Sequence, residues 1–251
     1  SVPGAYGFII YTSEGPVIYT GDIRLHGARP EMTEEFINEA EMAKPVALIC
    51  EGTRITEEST NESEELVYNK SNNVVSRRNN IIFADFNFKD VDRVRTFYNV
   101  ARENGRKLVV KIKDCYYLKY LSQDPTLDVP NFDDEDVVIY KPKQRSGTYQ
   151  SSDYYGEDRV FAGLPNAKTA GEISSEPHKY LCALGYFSFN VLIDMKPKNG
   201  TVYIHSASEP YNEEQVLSQE RVDNWLDRFG MTKFQIHCSG HAKGEDLLNA
   251  V

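Results

Sequence analysis

Residues 80 to 112 constrain the fold more than any other stretch. In "NIIFADFN", "FKDVDRVRTFYNVARENG" and "RKLVVKI", an apolar β-run, an amphipathic helical run and a second apolar β-run follow one another with almost nothing between them. Val91, Val94, Phe97 and Ala101 recur at helical spacing and form one buried stripe, and Gly105 is placed as the C-terminal cap. A helical crossover between two strands brings the second back parallel to the first, so this unit is Rossmann-like and the chain is α/β.

The flanks extend that reading. "AYGFIIYTSEGPVIYTGD" predicts a β-hairpin turning at "TSEGP". "RPEMTEEFINEAEMAKP" predicts a helix with Phe36, Ile37 and Ala40 on one face, Glu34 and Glu35 in its first turn and Pro45 as its stop. "VALIC" reads as a buried parallel strand delivering Glu51 at its carboxyl end. Residues 56–73 are polar and acidic and read as a connection between domains. In the middle of the chain, "SQDPTLDVPNFDDEDVV" and "KPKQRSGTYQSSDYYGEDR" predict loops around one strand, "VVIYK". An apolar run "YLCALGYFSFNVLIDM", a strand "GTVYIH", a loop "SASEPYNEE", a helix "QVLSQERVDNWLDRFG" and a strand "KFQIH" complete the order.

Totals narrow the class further. The apolar runs are far shorter than the roughly 20 residues a membrane helix needs, so no membrane partner is expected. Four cysteines, Cys50, Cys115, Cys182 and Cys238, lie far apart, without the close pairs of a zinc knuckle or the density of a disulfide scaffold. With no visible signal peptide, this predicts a reduced, cytoplasmic protein. The net charge of −10 argues against nucleic acid being held by the whole surface. The basic islands Arg77–Arg78 and Tyr140–Arg145 read first as solvated loops, and also as the places able to grip an RNA backbone. No G-x-G-x-x-G follows the first Rossmann-like strand, and there is no Walker A motif.

Chemistry-bearing residues gather where strands end: Asp22 in "YTGD", Glu51 in "ICEGT", Ser206 to Glu209 in "HSASEP", and His237 and His241 in "HCSGH". Loops at one rim of a sheet build sites from such groups. Each has a plain alternative. Asp22 fits an ordinary turn, and Glu51 fits a helix cap or a partner for Arg54. The small residues between the two histidines favour a tight turn with backbone N–H groups open to an anion, over two imidazoles on one helix face.

Read in order, "SVPGAYGFIIYTSEGPVIYTGD", "ALICEGT", "SASEPYNEE" with "NWLDRFG", and "HCSGHA" resemble successive blocks of the β-CASP branch of the metallo-β-lactamase superfamily, the ribonuclease J and cleavage-and-polyadenylation nucleases, in an archaeal form. The resemblance implies a Rossmann-like β-CASP domain inserted in a metallo-β-lactamase αββα core, with the site in the cleft between them. The corresponding division is 1–54 for the partial core, 55–236 for the β-CASP domain and 237–251 for the return to the core. It implies that Asp22 bridges two zinc ions, that Glu51 and His241 are catalytic beside the leaving oxygen, and that Ser206, Ser208, Glu209, His237, Ser239 and Gly240 hold the phosphate of an RNA backbone. It also implies RNA as partner and leaves homodimerisation open. The family's H-x-H-x-D-H block is absent, and its third-motif and last-motif histidines would fall before Ser1 and beyond Val251. The expectation is therefore an inactive fragment of a zinc-dependent ribonuclease, with a non-catalytic RNA-binding or scaffold member as the alternative.

Overall fold

The computed structural model describes residues 2–56 and 63–250. The chain divides into two compact units, Ser1–Val67 with Cys238–Val251, and Tyr68–His237.

In the first unit, β1 (Phe8–Thr12) and β2 (Gly15–Tyr19) pair antiparallel from Thr12↔Gly15 to Phe8↔Tyr19, the expected hairpin closed by Ser13 and Glu14. Helix α1 (Glu31–Met42) half-buries Phe36, Ile37 and Ala40, as their spacing predicts. Strand β3 (Ala47–Ile49) lies parallel to β2 in a three-stranded sheet of order β1-β2-β3. Its apolar residues are exposed, not buried. A continuous apolar run predicts burial when layers cover both faces of a parallel sheet, and β3 is instead the edge of a small one.

The acidic segment 56–73 is only partly a connection. Residues 57–62 lie outside the described part, but Glu64–Ser76 form helix α2. Its buried positions Glu64, Val67, Ser71 and Val75 have helical spacing, and because two of the four are polar no apolar stripe betrays the helix.

The second unit is built on seven strands: β4 (Ile82–Asp85), β5 (Lys107–Lys111), β6 (Val137–Tyr140), β7 (Ala167–Lys168), β8 (Tyr180–Ala183), β9 (Val202–His205) and β10 (Thr232–Gln235). All pair parallel, in the order β10-β9-β4-β8-β5-β6-β7. This is an α/β, Rossmann-like fold. After β4 comes α3 (Val91–Glu103), whose first turn is capped by the Asp90 carboxylate accepting from the Arg93 amide. Gly105 follows at φ 63°, the left-handed geometry its C-cap role requires. The remaining helices are α4 (Ile112–Leu121), α5 (Gly156–Ala162), α6 (Ala170–Ser175), α7 (Val191–Met195) and α8 (Glu213–Arg228). Helix α5 occupies the end of a segment that reads as loop; at seven residues beginning on Gly156 it is too short for periodicity to show. Phe83, Val109, Val138 and Tyr203 of the sheet pack with Phe189, Leu192, Val222 and Leu226 in one continuous core.

The chain moves from β4 to β5 on one side of the sheet, whereas β9 and β10 lie on the other side of β4. In open parallel sheets, ligands sit outside the carboxyl ends of strands where the order reverses in this way. The residues leaving β9 and β10 at that end are Ser206, Ile236 and His237. The chain then re-enters the first unit at Cys238 and closes with α9 (Gly244–Ala250), where Ala242 and Leu247 pack on Ile23.

Candidate functional site

Two groups of polar residues emerge, one in each unit. In the first unit, β2 runs into Thr20, Gly21 and Asp22, and β3 into Cys50 and Glu51. Their ends are tied together: the Thr20 amide donates to Ile49 O at 3.0 Å, and the Glu51 amide donates to Thr20 Oγ1 at 3.3 Å. Gly21 turns the chain at φ 58°, and a Cβ there would lie 2.9 Å from Tyr6 O, so the backbone that presents Asp22 requires glycine.

Ile23 then acts as a clamp. Its amide donates to Glu51 Oε1 at 2.6 Å, while its carbonyl accepts from the Ala242 amide at 2.6 Å. The main chain of one residue thereby fixes both segments of the cluster. Glu51 Oε2 lies 2.7 Å from His241 Nδ1, although 190 positions separate them in sequence. Asp22 Oδ1 lies 3.9 Å from the same nitrogen. The Glu51 side chain is 7% exposed, that of His241 32% and that of Asp22 68%, so the arrangement grades from a buried carboxylate through an imidazole to an open carboxylate.

Because a carboxylate only accepts, Nδ1 of His241 carries the proton that it shares with Glu51, and Nε2 becomes the ring position at which a proton is given or taken. This orienting of an imidazole by a buried acid is the arrangement that general acid–base chemistry uses. Ser239 supports it from behind: its hydroxyl accepts from the His241 amide at 3.2 Å, and its carbonyl is 2.7 Å from His26 Nε2. A buried ion pair, Arg24 to Glu64 at 3.0 Å, touches Cys238 Sγ one residue before Ser239. Gly240 is exposed with open space around its Cα.

Asp22, Glu51 and His241 offer ligand atoms within 4.8 Å of one another, and they are the one such group of three among the described residues. Their donors do not fit a pair of zinc ions. Both Glu51 oxygens and His241 Nδ1 are engaged within the protein, which leaves Asp22 as the open carboxylate, and a dinuclear centre needs several imidazoles as well.

In the second unit, the Ser206 side chain is buried. Its hydroxyl donates to Ile236 O at 2.6 Å and accepts from Arg93 Nη1, so it is committed to holding β9 and β10 together. His237 Nδ1 lies 3.3 Å from Arg93 Nη1 and 3.2 Å from Ser206 O. Ser208 and Glu209 are exposed on the loop beyond β9. In the basic island, Lys143 pairs with Asp194 at 2.8 Å, and the Arg145 guanidinium stacks on the Tyr155 ring. Sequence reasoning passed over Arg93, Ile23 and the Arg24–Glu64 pair. Of these, Arg93 carried a signal: a cation in the first turn of a helix opposes the helix dipole and calls for a reason.

Similar chains occur among curated proteins and among solved structures. The chain is 23% identical over 254 residues to "Ribonuclease J 2" of Streptococcus pyogenes serotype M3, and 24% identical over 261 residues to "Ribonuclease J" of Mycoplasma pneumoniae. The similarity to ribonuclease J covers nearly the whole chain. Each alignment takes in 98% of it, but the chain spans only 42% and 41% of those proteins' lengths. A crystal structure of a protein of unknown function from Enterococcus faecalis V583 shares the fold at a TM-score of 0.69 and 20% identity, covering 99% of this chain and 54% of that one. No protein-family model matches. No helix among the described residues is long and apolar enough to cross a membrane.

Proposed function

We propose that this chain carries the proton-transfer pair and the phosphate-facing segment of a zinc-dependent ribonuclease of the β-CASP branch, an RNA-processing phosphodiesterase. The observation that carries the reading is the 2.7 Å contact between Glu51 and His241, with Asp22 beside it. Residues 1–54 and 237–251 are read as parts of a metallo-β-lactamase core and 55–236 as the β-CASP domain. RNA is the substrate, and the cytoplasm is the proposed compartment.

In this reading Glu51 fixes the His241 ring through Nδ1, and Nε2–H is donated to the departing ribose oxygen, so that a poor alkoxide leaves as a neutral hydroxyl. The residues proposed to bind phosphate are Ser239 and Gly240 in the unit of His241, and Ser206, Ser208, Glu209 and His237 in the other unit. Ser206 contributes by fixing the backbone from which the loop departs. Two zinc ions, if held with further ligands in a whole enzyme, would supply an activated water and charge stabilisation for in-line displacement. Asp22 is this chain's contribution to holding them, and the chain on its own does not turn over RNA.

The test is made on a protein that joins this chain to the remainder of a ribonuclease. His241→Ala is expected to lower phosphodiester hydrolysis by about a hundredfold or more, with RNA binding kept. Glu51→Gln, which turns an N–H toward His241 Nδ1 and breaks the orienting bond, is expected to act in the same direction. Undiminished turnover in His241→Ala defeats the assignment.

A second reading, a non-catalytic RNA-binding or scaffold member, is favoured by the single three-ligand group among the described residues. RNA binding by the whole protein without hydrolysis, at saturating zinc, is the result that selects it.

A further inference from the structure

Arg93 has a task that neither the helix nor the core explains. It stands in the first turn of α3, is 1% exposed, and places a guanidinium where the helix dipole disfavours a positive charge. Its Nη1 meets the residues that follow the carboxyl ends of β9 and β10. It donates to Ser206 O at 2.9 Å and to the Ser206 hydroxyl, and it stands 3.3 Å from His237 Nδ1. The groups it meets are already ordered: the Ser206 amide donates to Asp85 O at 2.8 Å, the Ser206 hydroxyl donates to Ile236 O, and the Ile236 amide donates to His205 O at 3.0 Å. Arg93 is thus a strut joining the residues that leave β9 and β10.

The His237 ring has two ways to meet this strut. Its Nδ1 can accept from Arg93, which places the ring proton on Nε2; or Nδ1–H can donate to Ser206 O at 3.2 Å. A guanidinium is always charged and has no lone pair to accept with. In the second arrangement the positive end of the Nδ1–H dipole points into a cation 3.3 Å away, with burial reducing the screening between them. In the first, the same cation meets a lone pair, and Ser206 O is still satisfied by Arg93.

We propose that Arg93 is a positioning residue that holds His237 as the neutral Nε2–H tautomer and fixes the Ser206 backbone beside it. The Nε2 of His237 is then a donor and not an acceptor, the polarity that a phosphate oxygen calls for. This last step rests on the phosphate role proposed above; the tautomer does not.

The test is a long-range ¹H–¹⁵N spectrum of the uniformly ¹⁵N-labelled chain at neutral pH, with the His237 signals identified by their loss in His237→Gln. The expected pattern is a protonated Nε2 and an unprotonated Nδ1. Arg93→Met is expected to move His237 to the Nδ1–H form or to a mixture, and Arg93→Lys, which keeps the charge, to retain Nε2–H. An Nδ1–H signal in the unaltered chain overturns the proposal, as does an Arg93→Met chain that is folded by circular dichroism and leaves the pattern unchanged. If Arg93→Met does not fold, the unaltered chain and Arg93→Lys decide alone. A final arm adds inorganic phosphate. A shift of the His237 signals supports the phosphate role, and the expected tautomer without any response counts against that role while leaving the work of Arg93 intact.

Discussion

Arg106 shows how much one residue holds in this sheet. It follows the Gly105 cap, is 3% exposed, and donates through Nη1 to Asn80 O, Tyr180 O and Pro177 O and through Nη2 to Arg78 O. The segments before β4 and β8 are thereby pinned to the start of β5. Burial lowers its pKa, yet an arginine stays charged, so the carbonyls serve as its solvent. Arg106→Met keeps the volume and removes every donor, leaving several buried acceptors empty; the expected cost is about 3 kcal/mol. That corresponds to a melting temperature lower by about 10 °C, to be checked by a calorimetric scan against the unaltered chain. A change within 2 °C or so means that water replaces the guanidinium, and the strut account fails. The sequence gives no hint of this role, because Arg106 reads as the charged first residue of a strand. That Asp22, Glu51 and His241 would carry polar groups at the rim of a sheet was legible by contrast: each ends a strand pattern or interrupts it with glycine beside it. Arg93 and Ile23 were not, the first being hidden among charges on a helix and the second acting through its main chain alone.

Elements show the same contrast between local and distant causes. The hairpin β1–β2, helices α1, α3 and α8, and strands β4, β5 and β9 follow from periodicity and caps that lie within each segment. That β8 lies between β4 and β5 does not, since strand order is decided by contacts some 100 positions apart, as in Ile82↔Leu181. The loop between β6 and α5 is a further case. Arg145, Gly147 and Tyr149 all take left-handed backbone angles, φ 45°, 71° and 60°, and one carboxylate organises them. Asp153 accepts from the Ser146 hydroxyl and amide, the Thr148 hydroxyl and the Gln150 amide. The Ser146 hydroxyl, with the other donors, holds its carboxyl below the usual aspartate range. A folded-state pKa below the unfolded value of about 3.9 stabilises the loop above that pH, and the contribution fades as pH falls through the folded value. Acid is therefore expected to open this loop. Amide exchange at Ser146 and Gln150, corrected for its intrinsic pH dependence, should accelerate below about pH 4 in the native chain. In Asp153→Asn it should be fast at neutral pH and lose that acid step. A carbon-detected titration that puts Asp153 at or above an ordinary aspartate contradicts the account.

At the scale of the whole molecule, the chain starts in one unit, builds another from Tyr68 to His237, and returns to the first at Cys238. The return is what makes the Glu51–His241 pair. Partners 190 positions apart meet because the Ile23 amide donates to the Glu51 carboxylate while the Ile23 carbonyl accepts from the Ala242 amide. This economy explains why the Glu51–His241 contact is complete within the chain. Glu51 and His241 Nδ1 satisfy each other, so a cation that leaves the 2.7 Å bond intact could be met only by the Asp22 carboxylate and by His241 Nε2. One exposed carboxylate and one imidazole nitrogen hold a divalent ion only weakly, in contrast to the tight three- and four-ligand sites of zinc proteins. Calorimetric titration of the isolated chain with zinc is therefore expected to give weak binding that does not reach two ions per chain. Asp22→Asn should remove most of the heat, and His237→Gln should leave it unchanged. Two tight equivalents in the unaltered chain would mean that its own donors suffice for a dinuclear centre, and the ligand count argued here would fall with that result.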